Sequence, residues 1–197
     1  MNFSENKHLS LKSGNEKFNF EKQNLDFSLL DFWRWSVSDI LSNATRGILA
    51  EFIVAKALNA DIAKIRNEWD AYDLVTSTGI KVEVKSSAYL QTWEQIDYSK
   101  ISFSTRAAKP WDMSIDKRSE IAIRSADVYV FCLLNHKDKS TVDPLNLNQW
   151  EFYVLATTEL NNYQRSQHSI TLNSLKKLTQ TLQYNEIKNE VELKFEL

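Results

Sequence analysis

Glycine is scarce in this chain. Only three glycines occur in 197 residues, at positions 14, 47 and 79. Loops that cradle a nucleotide phosphate use closely spaced glycines, and the sequence contains no such cluster. The composition therefore argues against a P-loop or a glycine-rich dinucleotide site, and no G-x-S-x-G nucleophile motif is present.

Cysteine is scarcer still, and the histidines are scattered. The single cysteine, Cys132, lies in an apolar run and cannot form an internal disulfide. His8, His136 and His168 lie in polar stretches, with no second histidine or cysteine at ligand spacing. This distribution argues against a zinc site.

Long apolar runs are also missing. No run reaches the length of a membrane-spanning helix, and residues 1–19 lack the apolar segment of a secretory signal. These features predict a cytoplasmic protein that has no membrane partner. The net charge of −2 argues against strong nonspecific affinity for DNA, because that affinity comes from neutralising phosphates with Lys and Arg. A local basic cleft is still compatible with this charge.

The most informative stretch covers residues 69–91, WDAYDLVTSTGIKVEVKSSAYLQ. It contains two short strand patterns that are separated by a turn signal. In the second strand, alternation places valines on one face and Glu83 and Lys85 on the other. We expect the valine face to pack on the core and the charged face to point outward.

The register of this hairpin decides whether two acids meet. A three-residue loop at 77–79, whose glycine supplies a positive φ, places Asp73 opposite Glu83 with Cβ atoms about 4.5–5.5 Å apart. Two carboxylates at this distance can share a divalent cation, and magnesium prefers oxygen ligands of this kind. A two-residue loop would instead pair Asp73 with Val84 and separate the acids across the sheet. The metal-site hypothesis therefore requires the first register or a bulge.

Lys85 adds a cation to the same strand face as Glu83. It could orient or deprotonate an attacking water, or stabilise the negative charge of a phosphorane. A solvated strand face with scattered charges also explains the triplet, since Glu-x-Lys occurs by chance in many proteins. The triplet alone therefore does not establish a site.

A long helix is predicted from Ser36 to Leu58, upstream of the hairpin. It opens with a Ser36-x-x-Asp39 capping box. Its apolar residues recur at helical spacing. This stripe consists of Val37, Ile40, Leu41, Ala44, Ile48, Phe52 and Ala55.

Glu51 is a third acid, and the stripe places it on the inward face of this helix. A carboxylate buried there needs a partner or a metal. One turn earlier, Gly47 costs about 1 kcal/mol relative to alanine in a helix interior. The alternative is an acid at the edge of the stripe, paired with Arg46 or Lys56.

Together these segments resemble the PD-(D/E)XK nuclease superfamily, over roughly residues 36–106. The similarity lies in Gly47-x-x-x-Glu51 on a helix, Asp73 on a strand, and Glu83-Val84-Lys85 on the next strand. It implies an α/β fold with a restriction-endonuclease-like mixed β-sheet core flanked by helices. One departure is that Tyr72 precedes Asp73 where the family motif has proline.

The resemblance implies a Mg²⁺-dependent DNA endonuclease that hydrolyses phosphodiester bonds, with Mn²⁺ as a substitute. A restriction or defence role is one option. Lys85 would position the attacking water. The implied metal ligands are Asp73, Glu83, the Val84 carbonyl and Glu51. The alternative is a noncatalytic nucleic-acid-binding or assembly module on the same fold.

Candidate DNA contacts are cationic, polar or aromatic. The segment 104–111, STRAAKPW, has the composition of a loop that contacts phosphates and stacks on bases, and a plain surface loop explains it equally well. The full set is Arg46, Ser87, Gln91, Arg106, Lys109 and Trp111.

The sequence predicts one nuclease-like domain, residues 25–197, after a flexible or edge arm at 1–24. An aromatic helix over Leu25–Trp35 is expected to pack in the core, and packing on a second subunit, as in a homodimer, is the other option. Further strands are predicted at 61–66, 100–106, 127–135 and 150–157, and helices at 117–124, 158–162 and 174–182. Residues 191–197 show no clear pattern.

Overall fold

The computed structural model describes residues 10–63, 65–66, 70–109, 111–112, 117–118 and 120–196. The helices are α1 (Leu29–Val37), α2 (Asn43–Ala57), α3 (Thr157–Asn161), α4 (Leu172–Leu175) and α5 (Ile187–Phe195), with 3₁₀ turns at Leu147–Gln149 and Tyr184–Glu186. The strands are β1 (Lys17–Phe20), β2 (Gln23–Ser28), β3 (Leu74–Val75), β4 (Lys81–Ala88), β5 (Ser102–Ser104), β6 (Trp111–Asp112), β7 (Lys117–Arg118), β8 (Val128–Leu134), β9 (Trp150–Ala156) and β10 (Ser169–Thr171).

Four strands form the central sheet, in the order β3-β4-β8-β9. β4 and β8 are parallel, whereas β3 pairs with β4 and β9 pairs with β8 in antiparallel fashion. All seven residues of β8 are buried, as expected for a continuous apolar run in the middle of a sheet. The strands predicted at 127–135 and 150–157 are therefore confirmed.

The central sheet is covered on both faces. Helices α2 and α5 pack on one face, and the β5–β10 ribbon with α3 and α4 covers the other. The first core lies between the sheet and α2 and α5, and it includes Val82, Val84, Val130 and Phe152. The second core lies on the opposite face, under the β5–β10 ribbon, and it includes Phe103, Phe131, Tyr153 and Ile170. The fold is thus the predicted α/β class, with a mixed sheet and flanking helices.

The predicted helix from Ser36 to Leu58 is wrong in its first third, because a break separates α1 from α2. Asp39 accepts hydrogen bonds from the backbone N–H groups of Leu41 and Ser42 at 3.2 and 3.1 Å, which closes a turn in place of a helix. Ser42 then caps α2, with its hydroxyl accepting from the Thr45 N–H at 3.4 Å.

The inward face of α2 also differs from the predicted stripe. Ile48 and Phe52 are about half exposed, at 47% and 52%. Ala50, Ile53 and Val54 are buried instead and form the contact with the sheet. Of the predicted stripe, Ala55 is buried with them.

Three shorter predictions are also wrong in the described residues. Residues 61–63 and 65–66 form turns and irregular chain in place of a strand, and residues 120–124 are not helical. The helix predicted at 174–182 ends at Leu175, because Leu182 bridges to Phe152 on β9. The C-terminal helix α5 was not predicted. No described helix is both long and apolar enough to cross a membrane.

The N-terminal region forms a hairpin and a helix. β1 and β2 pair in antiparallel fashion through a two-residue turn at Glu21 and Lys22, both of which have positive φ. A Ser28–Asp31 capping box starts α1. None of the residues of α1 is buried, so the expectation that this aromatic helix packs in the core is wrong.

Candidate active site

The hairpin of β3 and β4 has the register of a three-residue loop. Leu74 pairs with Val82 and Val75 with Lys81, and the regular ladder is interrupted at Asp73, because the Asp73 N–H donates to the carbonyl of Val82, the partner of Leu74. The loop is closed by the Thr76 N–H, which donates to the Ile80 carbonyl at 3.0 Å. Gly79 supplies the positive φ of 89°. The three-residue loop is therefore confirmed.

Asp73 lies at the end of β3 and reaches across to the backbone of β4. Its N–H donates to the Val82 carbonyl at 3.1 Å, and its Oδ2 accepts from the Val84 N–H at 2.7 Å. The N–H and C=O of one strand residue point to the same side of the strand, so the Val84 carbonyl lies at the edge of β4 that Asp73 occupies. Two predicted metal ligands thus share one edge.

The pKa of Asp73 reports on its acidic surroundings. This pKa is raised to about 6, mainly by burial of the carboxyl group and secondly by the negative charge of Glu83. The Val84 N–H and Lys85 lower the pKa, whereas Glu51 raises it further. The negative charges of both other predicted carboxylates therefore act on Asp73, that of Glu83 more strongly than that of Glu51.

Glu83 and Lys85 form an ion pair on β4. Both side chains are partly buried, with 19% and 28% of the side chain exposed. They lie on the face of the sheet that packs in the second core. On the neighbouring strand β8, Tyr129 of that core pairs with Glu83. The expectation that this face points freely outward is therefore wrong, and the partial burial strengthens electrostatic interactions there.

Glu51 faces a cleft between α2 and β3. Arg66 donates to both of its carboxylate oxygens, from Nε to Oε2 and from an Nη to Oε1 at 2.9 Å. The cleft has a volume of about 470 Å³, and its charged lining consists of Glu51, Asp61, Arg66, Asp70 and Asp73. Arg66 replaces Arg46 and Lys56, the two partners considered from the sequence.

A divalent cation fits the chemistry of this donor set. Three carboxylates and a strand carbonyl are the hard oxygen ligands that magnesium uses, and burial together with the charge of Glu83 raises the pKa of Asp73. Among the described residues, no group of three or more acidic, histidine or cysteine side chains is arranged to hold a metal as it stands. Ion pairs with Lys85 and Arg66 engage Glu83 and Glu51.

Arg46 was predicted to contact DNA, but the structure places it in the interior, with 3% of its surface exposed. Its guanidinium donates to the Leu41 carbonyl at 2.7 Å, to Asn43 Oδ1 at 2.6 Å and to Ser86 Oγ at 3.4 Å. Burial lowers the pKa of Arg46 from its ordinary value. Arg46 therefore ties α2 to β4, which gives it a structural role.

Gln91 is also internal, with 5% of its surface exposed. Its side-chain amide donates to the Ala88 carbonyl and to Ser99 Oγ, both at 3.1 Å, and its Oε1 accepts from Arg46 at 3.5 Å. These bonds hold the turn after β4. Gln91 is thus a structural residue in this fold and not an exposed DNA contact.

The other predicted DNA contacts have mixed placements. Ser87 is partly buried on the strand face of Glu83 and Lys85, and Arg106 and Lys109 are exposed beyond β5. The side chain of Trp111 lies outside the described residues. The role of these four residues in binding DNA stays a prediction.

Arg66 is the residue of the site that sequence reasoning missed. It lies in a stretch that was assigned to a strand, and its partner Glu51 is fifteen residues away. No local spacing marks such a pair, because the loop after α2 must first fold back over the helix. The sequence signal for this pair is limited to the position of Arg66 in the segment that links Glu51 to Asp73.

A family model gives an independent line of support. The model described as bacteriophage T4 endonuclease IV matches residues 9–186, which include α2 and the whole β3–β4 hairpin with its acids. No match is found among curated proteins. The matched segment covers far more than half of the chain, and the chain therefore belongs to the bacteriophage T4 endonuclease IV family.

Proposed function

We propose that the chain is a Mg²⁺-dependent DNA endonuclease of the PD-(D/E)XK type, with a restriction-endonuclease-like core. The observation that carries this proposal is that Asp73 lines one cleft with Glu51 and hydrogen-bonds to β4 beside the Glu83–Lys85 ion pair, in a family of endonucleases. A cytoplasmic location and a restriction or defence role belong to the same proposal. Which DNA the protein cuts will test the restriction or defence role.

The proposed metal ligands are Asp73, Glu83, the Val84 carbonyl and Glu51. When bound, magnesium would supply Lewis-acid stabilisation of the phosphate and a more acidic water. Val84 contributes through the strand edge that it shares with Asp73. To bind the metal, Glu83 would release Lys85 and Glu51 would release Arg66.

Lys85 supplies the cationic group beside the acids. Its ammonium donates to Glu83 and retains two further N–H donors, which can orient a water towards phosphorus or stabilise a phosphate oxygen. The partial burial of the pair limits competing hydration and fixes the ammonium in place. Lys85 thus acts by orienting water and by electrostatic stabilisation.

Cleavage of supercoiled plasmid tests the proposal directly. We expect nicking or linearisation with Mg²⁺ or Mn²⁺ and none with excess EDTA. Without a cation, the negatively charged carboxylates would repel the DNA phosphate. Asp73→Asn protein, purified in the same way, controls for contaminating nuclease. Retention of DNA by the folded native protein with no cutting of duplex or single-stranded DNA would favour the noncatalytic module.

Arg66 provides a test of the metal site that does not depend on turnover. We expect Arg66→Met to raise the affinity for Mn²⁺ about 3- to 10-fold, since a cation beside Glu51 opposes the binding of another cation. Isothermal titration calorimetry measures this change. Lys56→Met removes the same charge from an exposed position at the end of α2 and should leave the affinity unchanged. A lower affinity in Arg66→Met would show that Arg66 positions Glu51 for the metal.

A further inference from the structure

The N-terminal hairpin and α1 expose large apolar side chains. Phe18 and Phe20 share one face of β1, and Phe27 joins them because its ring lies 4.8 Å from that of Phe18. On α1, Phe32 and Trp35 are one turn apart. We define the N-terminal aromatic surface as Phe18, Phe20, Phe27, Phe32 and Trp35.

The exposed aromatic area of this region is large. Phe20 is 67% exposed and Trp35 85%, and the other three aromatic side chains are 41–46% exposed. An aromatic side chain buries about 150–250 Å², so these five expose on the order of 500 Å² together. A typical stable interface buries about 800 Å² per partner, and the aromatic side chains alone supply more than half of that.

Within the described part of the chain, the packing of this region is mostly internal. The principal packing contacts of β1, β2 and α1 there are with one another, and Trp33 packs over Gly14 within the same unit. A two-stranded ribbon is marginally stable in water unless another layer covers it. A partner on the aromatic surface would supply the missing layer.

The charges of this region favour a second copy over nucleic acid. Four cations and four anions lie between residues 10 and 37, so the region is neutral. They are Lys12, Lys17, Lys22 and Arg34, and Glu16, Glu21, Asp26 and Asp31. A neutral surface lacks the excess of Lys and Arg that phosphates require, and it can meet its own copy without net repulsion. A two-fold contact between identical surfaces is the commonest arrangement of homo-oligomers.

We propose that the N-terminal aromatic surface is the interface of a homodimer, in which β1, β2 and α1 of one copy pack against the same elements of a second copy. The proposal is independent of the nuclease activity, because it rests on exposed side chains away from the acids. Each dimer then carries two copies of the site.

Sedimentation velocity of the full chain between about 1 and 100 µM tests this proposal. We expect a particle of twice 22.9 kDa at the upper concentrations. Phe20→Ser and Trp35→Ser should each weaken the dimer at least about 10-fold, as for exposed aromatic hot spots. Leu145→Ser is the matched control, since Leu145 is also 67% exposed but lies in a distant loop. Its dimer should be as stable as that of the native chain.

Three results would overturn the proposal. A native chain that stays monomeric throughout this range has no such interface, and equal weakening by Leu145→Ser would place the contact elsewhere. A monomeric chain whose Trp35→Ser variant loses DNA binding would assign the surface to nucleic acid. Circular dichroism of each variant checks its fold. If one of the two aromatic variants fails to fold, the other variant and the concentration series of the native chain still test the proposed interface.

Discussion

Replacing Lys85 by alanine is expected to slow DNA cleavage by about 10³-fold, the typical loss when one preorganised donor is removed from a transition state. The ammonium is held beside Glu83 in a partly buried setting, where an electrostatic contact is worth more than in water. The rate of plasmid nicking at saturating Mg²⁺ measures the effect.

Lys81→Ala is the matched control for this substitution. Lys81 lies four residues before Lys85 on the same strand, and its ammonium rests over the Tyr72 ring at 5.6 Å from the centroid. Because Lys81 is exposed and does not pair with Glu83, its removal should change the rate by less than about 3-fold. Similar losses in both variants would mean that general positive charge on this face binds DNA, and would contradict a specific role for Lys85.

Mn²⁺ affinity separates the role of Lys85 from that of its partner. Lys85→Ala should keep or raise the affinity, since it removes a positive charge from the site. Glu83→Gln should lower both the affinity and the rate, because it removes a carboxylate ligand. Loss of Mn²⁺ binding in Lys85→Ala would instead show that the lysine acts by positioning Glu83.

The hairpin could be predicted from sequence because few residues decide its register. Alternating valines fixed the buried face of β4, and Gly79 fixed where the chain turns. With three loop residues the pairing of Leu74 with Val82 then follows from strand geometry, and it brings Asp73 to the backbone of β4 next to Glu83. The same alternation did not show that the charged face is also covered, because Phe103 and Tyr153 come from segments distant in sequence.

The helices were harder to predict because several residues can cap them. Ser28-x-x-Asp31, Ser36-x-x-Asp39 and Ser42 all look like helix starts, and the second of these was chosen. In the structure Ser28 and Ser42 are the caps, and Asp39 closes a turn between the helices. Side-chain hydrogen bonds of this kind compete with helix formation on nearly equal terms, so the local pattern cannot decide between them.

The N-terminal hairpin lacks the usual turn residues. Glu21 and Lys22 occupy the two positions with positive φ, where glycine or asparagine is normally found. The buried Arg46 and the Glu51–Arg66 pair were missed for a related reason, since each depends on contacts made only after folding. The acids and Lys85 could be identified from the sequence, whereas Arg66, the partner of Glu51, is brought to the site only by tertiary structure.

Asp73→Asn is expected to stabilise the metal-free protein at pH 7.5 while it abolishes cleavage. The pKa of Asp73 is raised from 3.8 to about 6, first by burial and then by Glu83. A raised pKa in the folded state means that the contribution of this group is most favourable below pH 3.8 and is lost as the pH rises through 6. At pH 7.5 the native carboxylate is ionised at a cost of about 2–3 kcal/mol.

Asparagine removes this cost and keeps the local structure. Its side-chain oxygen can still accept the Val84 N–H that Asp73 accepts at 2.7 Å, and it carries no charge for Glu83 or Glu51 to repel. We therefore expect a gain of about 2 kcal/mol in the free energy of unfolding at pH 7.5 in EDTA, or about 4–8 °C in the thermal midpoint. Near pH 4 the folded native side chain is itself neutral, and the difference between the two proteins should shrink to about 0.5 kcal/mol.

Magnesium should reverse the order of stability, which connects this prediction to the activity. A cation that binds only the folded native protein stabilises it by RT ln(1 + [L]/Kd), whereas Asp73→Asn lacks a ligand and should gain little. Thermal melts at pH 4 and 7.5, with EDTA or with Mg²⁺, measure all four conditions. A variant that is less stable than the native protein at pH 7.5 in EDTA would show that the acids are already balanced by Lys85 and Arg66. The charge that draws a cation to this site would then have to come from the substrate phosphate.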